Sequence, residues 1–485
     1  MTIILCLLIL TSILLTSCNV KSNESDGSIA SFHSNLEYDG FYVQEGRFEL
    51  VDVIKMCNEG LIKVCNGNNA GNPYYSYVLP LAPTQTIPNE IPYLDGYLNY
   101  RLAPDEAIVF VGHTPPEMMF FSYRSFLYSR YYDDFGRQKK LFSSLGDTIN
   151  KLTVSTKATP YGAVGDPFNQ PIIIITTADR KINERIRNAV IAAGYPREII
   201  NTDILPFHML NMGLDNESDT FIFLARTAMF IDTDARNAYV KNSGGRVFRV
   251  TPKVSGALDP YPTPALKPRG TGITEHWLSD AVEDLQQAIL NYYSDYEATE
   301  LKTEIWLPET FVGIEDRIDV VGESRDTPYL WTNGEIRDTP YHKTNHSLAF
   351  TLSDDPDEFL IVYGVNHQAT GKATYSNFAV YGEKYINGVA SVASPSFPGS
   401  AEVYIPGHPE AGFLYAWKVA RSSDDSDYCL TVPYGPLRYG FGVDADDQCG
   451  YVGFRAYLEP ETTVGAKWDE LIYDRVIKFK KHYKS

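Results

Sequence analysis

The chain has 485 residues and a net charge of −19. An acidic surface excludes nucleic acid as a partner, because phosphate binding requires basic patches. The hydrophobic content of 44% is that of a globular protein with real cores, and the length allows two or three domains.

In chain order, residues 1–17 read as a signal peptide. Ile3 to Leu15 is an uncharged apolar run, long enough for a signal core and short of the roughly 20 apolar residues that span a bilayer. The run ends in Leu15-Thr16-Ser17-Cys18. This segment resembles the lipobox of bacterial lipoprotein precursors: a branched apolar residue, two small residues, then the cysteine that is lipidated. It departs from that pattern in having no Lys or Arg before the apolar run. The resemblance covers this segment alone. It implies lipid on Cys18, a membrane partner through that anchor, and a place in the cell envelope on the extracytoplasmic side, periplasmic or at the surface. An ordinary cleaved signal or an uncleaved anchor remains open. Residues 18–39, rich in Asn, Ser, Asp and Gly, read as a flexible tether.

Export makes disulfides the natural state of the remaining cysteines. Cys57 with Cys65, and Cys429 with Cys449, form two local pairs, each expected to contribute roughly 2–4 kcal/mol. No C-x-x-C spacing supports a four-cysteine metal site instead.

A first β-rich unit is expected over 40–165 and an α/β segment over 166–300. In the latter, Ile172 to Ile175 is an unbroken apolar strand of the kind buried on both faces. Residues 180–193 place Ile182, Ile186, Ala189, Val190 and Ala193 on one helical face, with Asp179 as N-cap and Gly194 as stop. Residues 198–201 complete a strand–helix–strand unit. Prolines from Pro252 to Pro268 mark a surface connector. A second helix, about 275–298, sets Leu278, Val282, Leu285, Ile289 and Tyr292 in a stripe.

A second β-rich unit fills 301–485, with strands at Tyr375–Tyr381 and Leu414–Val419. Two segments echo each other. Asp105-Glu106 leads into an apolar run ending at Gly112 and His113, followed by Phe121-Ser122-Tyr123. Asp357-Glu358 leads into an apolar run ending at Gly364, then His367, followed by Tyr375-Ser376-Asn377. Each reads as a long-looped hairpin. The fold class expected is α+β: two mainly antiparallel, sandwich-like β units with the α/β segment inserted between them. The echo leaves two readings open, an internal duplication that relates the β units and a chance similarity between two hairpins. Arg325-Asp326-Thr327-Pro328-Tyr329 has its own echo at 337–341, and both read as turns.

The chemistry is less explicit. There is no nucleophile elbow, zinc helix or phosphate loop. Acidic turns at Asp354–Glu358, Asp424–Asp427 and Asp444–Asp447 are the places where calcium would bind. His113 and His367 follow the glycine turns of the two echoing segments. If those loops meet on an internal axis, the imidazoles would hold a metal such as zinc or act as acid and base, with Lys372 beside them. Asn366, His367, Thr370, Lys372 and Tyr375 form the densest run of convergent polar side chains, and His342 stands near enough in sequence to join. Two functions compete. One is an extracytoplasmic ligand-binding lipoprotein for a small molecule or carbohydrate, with Asn366, Thr370, Tyr375 and His342 as binding residues. The other is a membrane-anchored hydrolase, with His113, His367 and Lys372 as catalytic groups. Asp147 and Glu323, each beside a glycine turn, are further candidate carboxylates.

Overall fold

The computed structural model describes residues 22–307, 309–333, 350–423, 426–432 and 449–481. Cys18, His342, the Asp444–Asp447 turn and Asp424 and Asp425 of the Asp424–Asp427 turn fall outside the described residues, as does the second Asp-Thr-Pro turn. The protein is mostly β, built on two curled sheets.

The first unit opens with helix α1 (Ser22–Tyr38), where a flexible tether was expected. Ile29, Phe32 and Leu36 recur at helical spacing and are buried. Phe32 meets Phe248 edge-on at 5.8 Å, and the Asn35 amide donates to the Ala189 carbonyl at 3.2 Å. This apolar stripe was hidden among the polar residues that suggested disorder. Strand β1 (Phe41–Val51) follows, then helix α2 (Val53–Asn58) and strand β2 (Tyr74–Val78). Next come β3 (Ala107–His113), β4 (Met118–Tyr132), β5 (Arg137–Ser144) and β6 (Pro171–Thr177). Helix α3 (Arg180–Ala192) leads to β7 (Ile200–Ile204), β8 (Thr220–Phe230), α4 (Thr233–Lys241) and β9 (Arg246–Pro252).

The second unit repeats the plan. Helix α5 (Ser279–Tyr292) precedes β10 (Tyr296–Leu307), α6 (Val312–Glu315) and β11 (Tyr329–Asn333). Then come β12 (Glu358–Val365), β13 (Tyr375–Gly382), β14 (Asn387–Ala393), β15 (Leu414–Ala420), β16 (Cys429–Thr431), β17 (Cys449–Tyr457) and β18 (Arg475–Lys481).

The first sheet runs β7-β6-β3-β9-β1-β2-β8-β4-β5 and the second β16-β15-β12-β18-β10-β11-β17-β13-β14. These are the same order, strand for strand. In each, only the edge pair β6–β7 or β15–β16 is parallel. Finer features coincide as well. Glu106 pairs with Arg249 at 3.2 Å, and at the matching register Glu358 pairs with Lys478 at 2.8 Å. The non-glycine residues Met229, near the end of β8, and Leu458, just past the end of β17, take φ of 56° and 54° at matching positions.

This order corrects two expectations. The 166–300 segment is not a separate insert: β6 to β9 hydrogen-bond into the first sheet, while α5 belongs to the second unit. The echoing segments are not hairpins, because β3 pairs with β6 and β9, and β12 with β15 and β18. The echo does mark matching strands, but in register Gly112 answers Gly364 and His113 answers Val365, leaving His367 beyond the match. Nor is either unit a pair of stacked sheets. Each is one curled sheet with helices on its outer face.

Two-sided burial explains the unbroken apolar strands. Ile172 and Ile174 face the interior of the curl with Ile108 and Phe110. Ile173 and Ile175 face outward, against Phe32 and Leu36 of α1 and Ile182 and Ile186 of α3. Each fully buried isoleucine contributes roughly 1.5–3 kcal/mol. The second unit does likewise, with Val282, Leu285 and Ile289 of α5 covering Phe359, Ile361, Ile477 and Phe479. As the spacing requires, Asp179 caps α3, accepting from the Ile182 amide at 3.0 Å. Tyr292, assigned to the α5 stripe, is exposed. No helix among the described residues is long and apolar enough to cross a membrane.

Residues 65–69 and 320–324 lock the units together reciprocally. Cys65 and Gly67 donate from their amides to Tyr385 and Ile386 at 2.7 and 2.8 Å, while Val320 and Gly322 donate to Leu141 and Phe142 at 2.9 and 2.8 Å. The Asn68 side chain accepts from the Gly388 amide at 2.9 Å, and the Glu323 side chain from the Ser144 amide at 3.0 Å. Gly322, at φ +75°, is required at its position, since a Cβ there would stand 2.8 Å from the Phe142 ring.

Candidate functional site

His367 lies just past the end of β12, where a turn begins. Asn366 helps make that turn: its amide donates to the Phe413 carbonyl and its side chain accepts from Ala369. The turn sends the imidazole inward. Its Nδ1 lies 2.9 and 3.0 Å from the two carboxylate oxygens of Glu275, and its Nε2 lies 3.5 Å from Asp474 Oδ2. Thr370 donates to Glu275 at 2.6 Å, as does the Ile472 amide at 3.0 Å. The Tyr415 hydroxyl donates to Asp474 Oδ1 at 2.6 Å. All three ionisable groups are buried.

Burial alone would drive His367 neutral, but Glu275 and Asp474 outweigh it and push its pKa up to about 10. Burial works against ionised Glu275 too, yet His367, Thr370 and the Ile472 amide hold its carboxyl below the usual range. The ring is thus an imidazolium at neutral pH. Both nitrogens then carry protons, which leaves no capacity to accept a further one.

Lys372 anchors a second, adjoining cluster. Its ammonium donates to Glu459 at 2.7 Å, Glu470 at 2.5 Å and the Thr271 hydroxyl at 3.1 Å. Glu470 also accepts from the Thr271 and Gly272 amides at 3.0 and 2.7 Å. This employs the Gly270-Thr271-Gly272 turn, which lacks the third glycine of a dinucleotide site. Burial opposes the Lys372 charge, but its two carboxylates outweigh it and raise the pKa. The clusters join where the Glu275 amide donates to the Glu470 carbonyl at 2.9 Å.

Asp474 also belongs to the wall of an open cleft of about 850 Å³. Glu283 and Gln286 of α5, Glu300 to Thr303 of β10, Trp468, Asp469 and Leu471 to Arg475 line it. Arg475 is held by Glu283 at 2.7 Å and Gln286 at 2.8 Å.

The structure thus gathers His367, Thr370, Lys372 and Asn366, and separates the others. His113 stands at the exposed end of β3 in the first sheet, opposite Pro171, so the two histidines do not share a site. Tyr375 points away into the junction between the units, stacked on Tyr457 at 5.4 Å. Glu275, Asp474, Tyr415, Glu459 and Glu470 had no local motif to reveal them, because only the sheet order brings these segments together.

The acidic turn at Asp354–Glu358 is spent internally. Burial works against Glu358, yet Lys478, Lys480 and Ser353 hold its pKa at about 2. Among the described residues no three His, Cys, Asp or Glu gather as metal ligands. Cys57 and Cys65 are buried neighbours but free thiols, not the expected disulfide; hydrogen bonding between them lowers the Cys57 pKa and raises that of Cys65. The Cys449 side chain lies outside the described residues, so the second pairing is untouched.

No protein-family model and no curated protein matches the chain. Among solved structures it is similar to the VPA0106 protein of Vibrio parahaemolyticus, across 95% of this chain and 99% of that one, at 10% identity and a TM-score of 0.35. A likeness this loose carries no information about function.

Proposed function

We propose that this protein is an exported, lipid-anchored binding protein that captures a small polar ligand, of carbohydrate type, in the cleft beside Asp474. One observation carries the reading: the buried His367 and Lys372 clusters spend their polar groups on one another, while the open cleft above them offers unlike groups to a ligand. Trp468 and Tyr473 supply apolar faces and Glu300 an acceptor for hydroxyls. Glu283 and Gln286, bonded to Arg475, Thr303, bonded to the Asp474 carbonyl, and Asp469, bonded to Lys467, each keep a further donor or acceptor position beside those bonds. The volume falls within the roughly 300–1,000 Å³ of small-molecule sites. The buried clusters then serve as a rigid floor that fixes Asp474.

The competing hydrolase reading needs His367 to exchange a proton near neutrality, which its two carboxylates oppose. The matching strand orders favour reading the chain as an internal duplication, with this cleft in its second half. Calorimetric titration with a panel of neutral and amino oligosaccharides tests the proposal. Saturable binding that weakens in Trp468→Ala supports it. No binding across the panel, or binding indifferent to Trp468→Ala and Glu300→Gln together, removes it.

A further inference from the structure

The junction between the units carries a second, unrelated set of groups. Arg226 of β8 stands opposite Tyr74 of β2, and Arg455 of β17 stands opposite Tyr329 of β11, at matching points of the two sheets. Each arginine reaches across to the other unit. Arg226 donates to the Gly322 carbonyl and, at 3.3 Å, to the Tyr329 hydroxyl; Arg455 donates to the Gly67 carbonyl at 2.8 Å. Each also lies over an aromatic ring at a matching position, Arg226 over Phe126 at 5.1 Å and Arg455 over Tyr381 at 5.4 Å, with Tyr329 also under Arg455 at 5.4 Å. Both arginines, Tyr74 and Tyr329 keep some water-accessible surface although protein surrounds them.

Neither guanidinium forms an ion pair among the described residues, and a desolvated charge without a counter-charge is costly. The two halves differ at one telling place. Glu323 lies within electrostatic reach of Arg226, and Asp326 does too. The position matching Glu323 in the other half is Asn68, which is neutral. The Arg455 side therefore keeps the cation, the tyrosine walls and the backbone anchor, and lacks the carboxylate.

We propose that this junction binds a small oxyanion-bearing solute, its carboxylate, phosphate or sulfate group seated against Arg455 and within reach of Arg226. The planar fork of arginine suits such groups. Among the described residues the Arg455 guanidinium donates to the protein through Nη2 alone, which leaves Nε and Nη1 to donate.

Calorimetry with inorganic phosphate and with sulfate, at ionic strength held constant by chloride, tests this on the full chain. Saturable binding is expected, weakened about tenfold or more in Arg455→Gln through loss of charge-assisted hydrogen bonds. At about pH 8, where a carboxyl buried like that of Glu323 is ionised, Asn68→Glu places beside Arg455 the carboxylate that stands beside Arg226 in the other half, so it should abolish anion binding there and leave the fold intact. Arg47→Gln, which removes a surface arginine bonded to Asp95, should bind as wild type. Absence of saturable binding by the wild type overturns the proposal. So does Asn68→Glu protein that is folded by circular dichroism and binds phosphate undiminished, whatever becomes of Arg455→Gln.

Discussion

Protonated His367 holds Glu275 and Asp474 together, so alkali should loosen what neutral solution leaves intact. Its pKa rises from 6.5 to about 10 on folding, so its contribution is present in full below 6.5 and lost as pH rises through about 10. Thermal unfolding midpoints should fall across that interval. His367→Gln should begin lower at neutral pH, since breaking a buried ion pair costs about 3–5 kcal/mol, and should then decline less. A flat wild-type profile would argue against the imidazolium. Lys372→Met strands Glu459 and Glu470 together and should cost a similar amount in urea unfolding. The cysteines make a separate residue-scale case. If export occurs, the adjacent Cys57 and Cys65 thiols should oxidise to the bond first expected of them. Ellman titration of denatured protein from an oxidising compartment would then find them unreactive until reduced.

At the scale of elements, periodicity was most legible where burial is one-sided or helical. Asp179, the Ile182–Val190 face and Gly194 marked α3 closely, while Val282, Leu285 and Ile289 marked α5, whose expected span of 275–298 overran the helix at both ends, into a preceding turn and into β10. The start of the chain misled, because three apolar residues on one stripe of α1 are diluted by Ser, Asn and Glu. Phe32→Ala should therefore destabilise the protein by about 3–5 kcal/mol in urea unfolding, as a filled core position does and a tether residue would not. Strand partners were not legible at all. A run such as Ile172–Ile175 declares that both its faces are covered, but nothing in it names β3 as its neighbour. The two echoing segments were visible because Asp-Glu and Gly sit at fixed register in matching strands. They were misread as hairpins because sequence proximity stood in for pairing.

Across the whole molecule, the junction is where the least was foreseen. Glu323 and Asp147 were singled out for their glycine turns, and both now lie at the boundary, Asp147 bonded to Arg325 at 2.5 Å. Burial pushes Glu323 up to about 7. A carboxyl raised on folding stabilises fully below its ordinary 4.5 and loses that contribution as pH climbs through 7. Glu323→Gln keeps an acceptor for the Ser144 amide and sheds the charge. It should raise the unfolding midpoint at about pH 8, by an amount on the order of 1–3 kcal/mol, and change little near pH 4.5. An equal effect at both values would mean that the carboxyl is not protonated on folding. Half of the candidate site was readable in the same way: Asn366 to Lys372 form one contiguous turn, whereas their partners arrive from three distant segments that only the completed sheet assembles.

The reciprocal loops at 65–69 and 320–324 have a consequence for ancestry. A lone unit of this design would own both the key and the keyhole, a protruding loop and the strand end that receives it. Two identical copies would clasp each other about a two-fold axis with neither partner's fitting left vacant. The present chain carries the strand order of such a pair in tandem on one polypeptide. Its two fittings are not identical, since the matching loop positions hold Asn68, which receives the Gly388 amide, and Glu323, which receives the Ser144 amide.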